Sequence, residues 1–188
     1  GAGDAAGPAA PGEGPAPSGL SSLAITGSPG VPTDTWSLFF RDLPPGLSEL
    51  DLSGNALSDH AVSALCGALR SCGCPQRLVL RGNRCKDVDR LCGLIASCGL
   101  RALDLSDNSL NDKSISQLCE ALAAPAAVLA ALRLSRNSRI LCSGLGDLAA
   151  LLPRGPLRAL ALDRTGLGDA AAAELAAALP RSALEDLR

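Results

Sequence analysis

The stretch Leu47-Ser48-Glu49-Leu50-Asp51-Leu52-Ser53-Gly54-Asn55-Ala56-Leu57 spaces its leucines as Leu-x-x-Leu-x-Leu and sets Asn55 three residues after the last of them, two before Leu57. The frame returns at Leu100, Leu103, Leu105, Asn108 and Leu110. It returns with small departures at Leu78, Leu80, Asn83, Cys85, then at Leu129, Leu132, Leu134, Asn137, and at Leu157, Leu160, Leu162, Thr165, Leu167. A weaker copy, Leu20, Leu23, Ile25, Ser28, comes first, and a truncated one, Leu184 and Leu187, comes last. Measured between second leucines, the steps are 27, 28, 25, 29, 28 and 27 residues. A period of this length marks a solenoid, in which each unit buries its apolar face against its neighbours.

Two periodicities alternate inside each unit. The Leu-x-Leu pairs repeat every second residue, as a short strand does, and the segment after each asparagine position has helical spacing. Apolar residues at i, i+3, i+4 and i+7 predict six helices: Trp36, Phe39, Phe40, Leu43; Val62, Leu65, Cys66, Leu69; Val88, Leu91, Cys92, Ile95; Ile115, Leu118, Cys119, Leu122; Leu145, Leu148, Ala149, Leu152; and Ala172, Leu175, Ala176, Leu179. Asp34, Ser58 or Asp59, Asp112 and Asp169 stand near the helix starts, where a short acceptor caps free amides.

The expected architecture is an α/β horseshoe. Strands lie about 4.8 Å apart while helices need about 10 Å, so a parallel β-sheet lines the concave face and the helices take the longer convex arc. Residues 20–188 then hold six complete repeats and the start of a seventh. Residues 1–19, made of six Gly, six Ala and four Pro with Asp4, Glu13 and Ser18, have nothing large and apolar to bury and are expected to be a disordered linker. At the end of each strand a buried asparagine amide has the donors and acceptor to replace lost ladder bonds from repeat to repeat. Ser28 and Thr165 supply part of that, so the ends should be looser than the middle.

The frame, its step near 28 and the helix pairs Leu65-Cys66, Leu91-Cys92 and Leu118-Cys119 resemble the leucine-rich repeats of the ribonuclease-inhibitor-like class. Pro75 at a first-leucine position and the slip to Ile140 after Asn137 depart from the pattern. Similar repeats occur in ribonuclease inhibitors, NOD-like receptor sensing arms, Ran GTPase activators, tropomodulins and tonsoku-like replication-repair scaffolds. The resemblance implies protein recognition by an intracellular horseshoe, cytoplasmic or nuclear. The leading expectation is a noncatalytic interaction module of a larger scaffold or sensor, of the tonsoku-like or NOD-like receptor kind. The alternative is an accessory that activates a GTPase by surface contact, as Ran activators do. A start at Gly1 and the absence of methionine fit a piece of a longer protein, monomeric as such.

Chemistry finds little support. A net charge of −2 lacks the basic excess that a phosphate backbone requires, and no apolar run approaches the ~20 residues that span a bilayer. Cys66, Cys72, Cys74 and Cys85 are candidate zinc ligands, but Cys72-x-Cys74 is short for a zinc hook, and Cys66, Cys92 and Cys119 share one repeat register. Buried structural thiols are the preferred assignment, with a disulfide among Cys72, Cys74 and Cys98 a lesser alternative. Gly144-Leu145-Gly146 lacks the rest of a nucleotide fingerprint, and His60 has no nucleophile set beside it. No catalytic residue, metal site or cofactor is expected.

The binding candidates are the residues between the leucines, because alternate strand positions face opposite sides. On the concave face these are Glu49, Asp51, Arg77, Arg81, Asp104, Asp107, Arg133, Arg136, Asp163 and Arg164. Their charge alternates by repeat, and Asp51, Arg81, Asp104 and Arg133 are expected to pair with one another. Trp36, Phe39 and Phe40, all the aromatics of the chain, sit together and are a second candidate surface for docking at the end of the array.

Overall fold

A computed structural model describes residues 19–188. The linker expected over residues 1–19 therefore lies, apart from Gly19, outside the described residues. Seven short strands form one parallel sheet in chain order: β1 (Ser22–Ala24), β2 (Glu49–Asp51), β3 (Arg77–Val79), β4 (Ala102–Asp104), β5 (Ala131–Arg133), β6 (Ala159–Ala161) and β7 (Asp186–Leu187). Between them run α1 (Thr33–Arg41), α2 (Asp59–Cys72), α3 (Asp89–Ser97), α4 (Asp112–Leu122), α5 (Cys142–Leu151) and α6 (Asp169–Ala178), with a 3-10 turn at Leu179–Arg181. The chain is thus an α/β solenoid of the expected kind. Its register joins second leucine to second leucine, Leu23 to Leu50, Leu78, Leu103, Leu132, Leu160 and Leu187.

The leucines of the frame form one continuous core between sheet and helices, with Leu50, Leu52, Leu78, Leu80, Leu105, Leu132 and Leu134 wholly buried. The two departures are absorbed: Pro75 is buried, and Ile140 is wholly buried after an Asn137 turn closed by Ile140 N donating to the Asn137 carbonyl. Leu167, the equivalent residue of the sixth repeat, is instead exposed. Leu57, Cys85 and Ile140 each meet the following repeat, whose Arg84, Ser109 and Gly166 N–H groups donate to their carbonyls, and among the described residues no such bond reaches Leu167.

The asparagines stitch consecutive repeats. Asn83 Oδ1 accepts from Asn55 N at 3.2 Å and Leu57 N at 2.9 Å, while its Nδ2 donates to the carbonyls of Leu52 and Leu80 at 3.0 and 2.9 Å. Asn137 repeats the pattern, accepting from Asn108 N and Leu110 N and donating to Leu105 and Leu134. Asn55 reaches back to Ser28 N and the Ile25 carbonyl, and Asn108 to Cys85 N and the Leu80 carbonyl. At the sixth repeat the ladder stops, because the Thr165 hydroxyl bonds only the carbonyl of its own Leu162.

Of the two residues expected at the start of α2 Ser58 is the cap, and the cap of α4 falls one residue before the expected Asp112. Ser58 caps α2 by accepting from Ala61 N, and Asn111 caps α4 in a capping box with Ser114. Asp59 and Asp112 are thereby left for the next repeat: Asp59 Oδ1 accepts from Lys86 N and Asp87 N, and Asp112 Oδ1 from Leu141 N. Neither α1 nor α6 has a side-chain cap, so Asp34 and Asp169 contribute charge near the helix starts and no cap bond. The buried face of α6 is also turned by one position. Ala171, Leu175 and Ala178 are buried, whereas Ala172 and Ala176 are exposed, because a run of alanines gives the apolar pattern no phase and Leu175 alone sets it.

Candidate partner-binding surface

Because the second leucine of every strand points inward, its two neighbours point to the concave side. The parallel register lines these neighbours up in two rows across the sheet. One runs Asp51, Val79, Asp104, Arg133, Ala161 and the other Glu49, Arg77, Ala102, Ala131, Ala159. Ion pairs follow the register. Arg77 Nε meets Glu49 at 3.0 Å, and Arg133 stands 3.9 Å from Asp104. The half-exposed Arg77–Glu49 pair contributes about 0–1 kcal/mol.

The expected four-membered ladder of Asp51, Arg81, Asp104 and Arg133 is not formed beyond its last two members. Asp51 lies opposite Val79, and its carboxylate accepts from Ser53 N and the Ser53 hydroxyl two residues on. Arg81 sits two residues past that partner, out of the strand. Asp104 also holds Ser106 N, and Asp163 accepts from the Ser135 hydroxyl. The acids are therefore engaged with neighbouring serines. Arg81, Arg136 and Arg164 make no ion pair or side-chain hydrogen bond among the described residues, and all three are exposed.

These side chains surround one polar hollow of about 700 Å³ lined by Asp51, Ser53, Arg77, Val79, Arg81, Asp104, Ser106, Arg133, Ser135, Arg136, Ala161, Asp163, Arg164 and Arg188. Eight of the ten concave candidates meet there. Glu49 is withdrawn into its pair with Arg77, and Asp107 stands on the turn beyond β4. Arg188 was not among the candidates, although it follows Leu187 as Arg133 follows Leu132. Of the six arginines lining the hollow, Arg77, Arg133 and Arg188 are paired with Glu49, Asp104 and Asp186, which leaves Arg81, Arg136 and Arg164 as unpaired cations on a chain whose net charge is −2. Alternation by repeat along the sequence thus becomes a local positive excess in space.

The position before each asparagine has a left-handed backbone. Glycine occupies it in the first three repeats, as Gly27, Gly54 and Gly82, with φ of 69°, 69° and 66°. Asp107, Arg136 and Arg164 occupy it in the next three, with φ of 56°, 62° and 57°. A residue with a Cβ carries strain of about 1 kcal/mol there. Two of the three unpaired arginines are held in this conformation.

The aromatic cluster is built differently from a docking surface. Trp36 and Phe40 stack with centroids 5.6 Å apart and are buried, and Phe39 meets both edge-on and is half-buried. Two of the three rings are therefore within the core, leaving Leu38, 59% exposed, as the apolar side chain open to solvent on α1.

All eight cysteines are free thiols. Burial pushes the thiols of Cys66, Cys85 and Cys119 up to about 12 and that of Cys92 to about 11. Cys74 also rises to about 12, first through burial and then through the nearby Cys98 thiol. Among the described residues no group of three His, Cys, Asp or Glu side chains is gathered to hold a metal ion, and no helix is long and apolar enough to cross a membrane.

The family described as Leucine Rich repeat matches residues 47–66 and 96–119. The chain is 41% identical over 111 residues to the rat NACHT, LRR and PYD domains-containing protein 1a allele 1, a match covering 55% of this chain and 9% of that protein. It is 39% identical over 132 residues to the human NACHT, LRR and PYD domains-containing protein 12, covering 66% of this chain and 12% of that one. The chain thus spans about a tenth of the length of the curated relatives it matches. Among solved structures, an internalin from Listeria monocytogenes superposes with a TM-score of 0.54 at 19% identity, covering 89% of this chain and 40% of the internalin, a likeness of fold.

Proposed function

We propose that this chain, a leucine-rich-repeat protein with repeats of the NOD-like type, is a noncatalytic protein-interaction module of a larger intracellular sensor or scaffold. The observation that carries this reading is the convergence of side chains from β2 to β7 and the turns after them on one hollow. A surface assembled from the same position of successive repeats is how solenoids present an extended concave binding face. Relatives that join NACHT, LRR and PYD domains in one chain favour the sensor over the replication-repair scaffold.

The test is affinity capture from cell extract with the wild-type chain and with an Arg81→Glu, Arg133→Glu, Arg136→Glu variant. The expected outcome is a set of partners that the wild type retains and the variant loses. Identical recovery by both would remove the concave face from the function.

A further inference from the structure

We infer that the concave hollow takes an acidic peptide segment of a protein partner, with Arg81, Arg136 and Arg164 as its anchors. This rests on the interaction reading above and adds the chemistry of the partner. Each of the three guanidiniums is exposed and without an ion-pair partner among the described residues, whereas Asp51 and Asp163 are occupied by serine donors and Asp104 by Ser106 N and the more distant Arg133. The acids of the hollow are engaged from within, as are Arg77, Arg133 and Arg188, whereas Arg81, Arg136 and Arg164 are not. Arginine is suited to carboxylates because its planar fork donates two parallel hydrogen bonds.

The backbone supplies an independent argument. At the position before the asparagine, glycine meets the left-handed requirement without strain in three repeats, and the fold would accept it in the others. Arg136 and Arg164 hold that conformation against its cost, and both line the hollow. A structural role does not call for arginine there, since Gly54 and Gly82 close the same turn without a side chain.

Spacing selects a peptide over a nucleic acid. Arg81 and Arg136 belong to repeats two strands apart, about 10 Å, which an extended peptide covers in about three residues. Asp104 lies on the strand between them. A segment with acids about every third residue and uncharged residues between fits that order, one acid meeting Arg81 and the next meeting Arg136 and Arg164 together, which follow the neighbouring strands β5 and β6, whereas a continuous row of phosphates would be driven against Asp51, Asp104 and Asp163.

The probe is a fluorescein-labelled peptide of about twelve residues with glutamate at every third position and serine between, titrated by anisotropy into the full chain. An all-serine peptide and a single-stranded RNA of similar length are measured beside it. The expected result is saturable binding of the glutamate peptide alone, weakening as salt rises. In an Arg136→Gly, Arg164→Gly variant, binding should fall about tenfold or more while the melting temperature holds or rises. Arg81→Gln, at a position of ordinary backbone, should weaken binding without touching the strained turn. No binding of the glutamate peptide, equal binding by wild type and both variants, or RNA bound more tightly than peptide would each overturn the inference. If the peptide fails while captured partners still depend on the concave arginines, the acidic assignment falls and the interaction module stands.

Discussion

Replacing Asn83 with alanine removes more from this fold than its single side chain suggests. The amide is buried and makes four good hydrogen bonds, accepting from Asn55 N and Leu57 N and donating to the carbonyls of Leu52 and Leu80. A made bond contributes about 1 kcal/mol net, and a buried partner left without one costs about 1–3 kcal/mol. Allowing for partial relaxation, Asn83→Ala should cost about 4 kcal/mol. Set against a stability of about 5–15 kcal/mol for a folded domain, that is a large fraction. The control is Thr165→Val, which preserves shape and removes one bond to the Leu162 carbonyl at 2.8 Å, for about 1 kcal/mol. Urea unfolding followed by far-ultraviolet circular dichroism would read both. With an m value of about 2 kcal/mol/M, the Asn83→Ala midpoint should drop by about 2 M and that of Thr165→Val by about 0.5 M. Amide exchange should quicken most at Leu57, whose N–H Asn83 holds at 2.9 Å. Equal midpoints for the two variants, or an unchanged Leu57 amide, would refute the view that the asparagines couple one repeat to the next.

Extending the ladder should have the opposite effect: Thr165→Asn offers an amide to the Leu134 carbonyl, as Asn137 does to Leu105, and should raise the melting temperature by roughly 2–4 °C by scanning calorimetry. The buried thiols predict an alkaline weakness. Cys66, Cys85 and Cys119 hold their protons to about pH 12 in the fold, against 9.0 for a free thiol, so above about pH 9 the unfolded chain releases protons that the folded one keeps. Stability present below pH 9 is lost as pH rises through that window, by about 1 kcal/mol per buried thiol at pH 10, and urea midpoints measured from pH 8 to pH 10 would check the slope. Iodoacetamide labelling resolved by peptide mass spectrometry should modify exposed Cys142 first and Cys66, Cys85 and Cys119 last, because access and thiolate fraction both disfavour the buried set.

What the residues disclosed in advance was whatever the repeat imposes. Leucine and asparagine recur because each must meet the same neighbour in the next unit, so their spacing carried the strand register and the ladder that Asn55, Asn83, Asn108 and Asn137 build. Phase was lost where side chains are alike: Ala171 and Ala172 differ only by a rotation that Leu175 decides. The α4 cap was misplaced by one residue because Asn111 and Asp112 are both short acceptors, and for the same reason the α2 cap was left open between Ser58 and Asp59. Only the turn geometry shows that the second of each pair faces the following repeat. Charge in the hollow was the least legible. Asp51 and Arg81 look complementary in a row of letters, but a serine two residues away competes for the carboxylate, and register places Val79 opposite it. A signal for the strained arginines was present, however, since Arg136 and Arg164 fall in the column that Gly27, Gly54 and Gly82 occupy.

That column also bears on how such an array changes over generations. Glycine codons lie one base from codons for arginine and for aspartate, so a point mutation can place either charge at this turn or erase it. The turn already accommodates all three residues, as Gly82, Asp107 and Arg136 demonstrate in consecutive repeats. The charge of this surface is therefore separable from its architecture: the leucines and asparagines can stay untouched while one letter per repeat is rewritten.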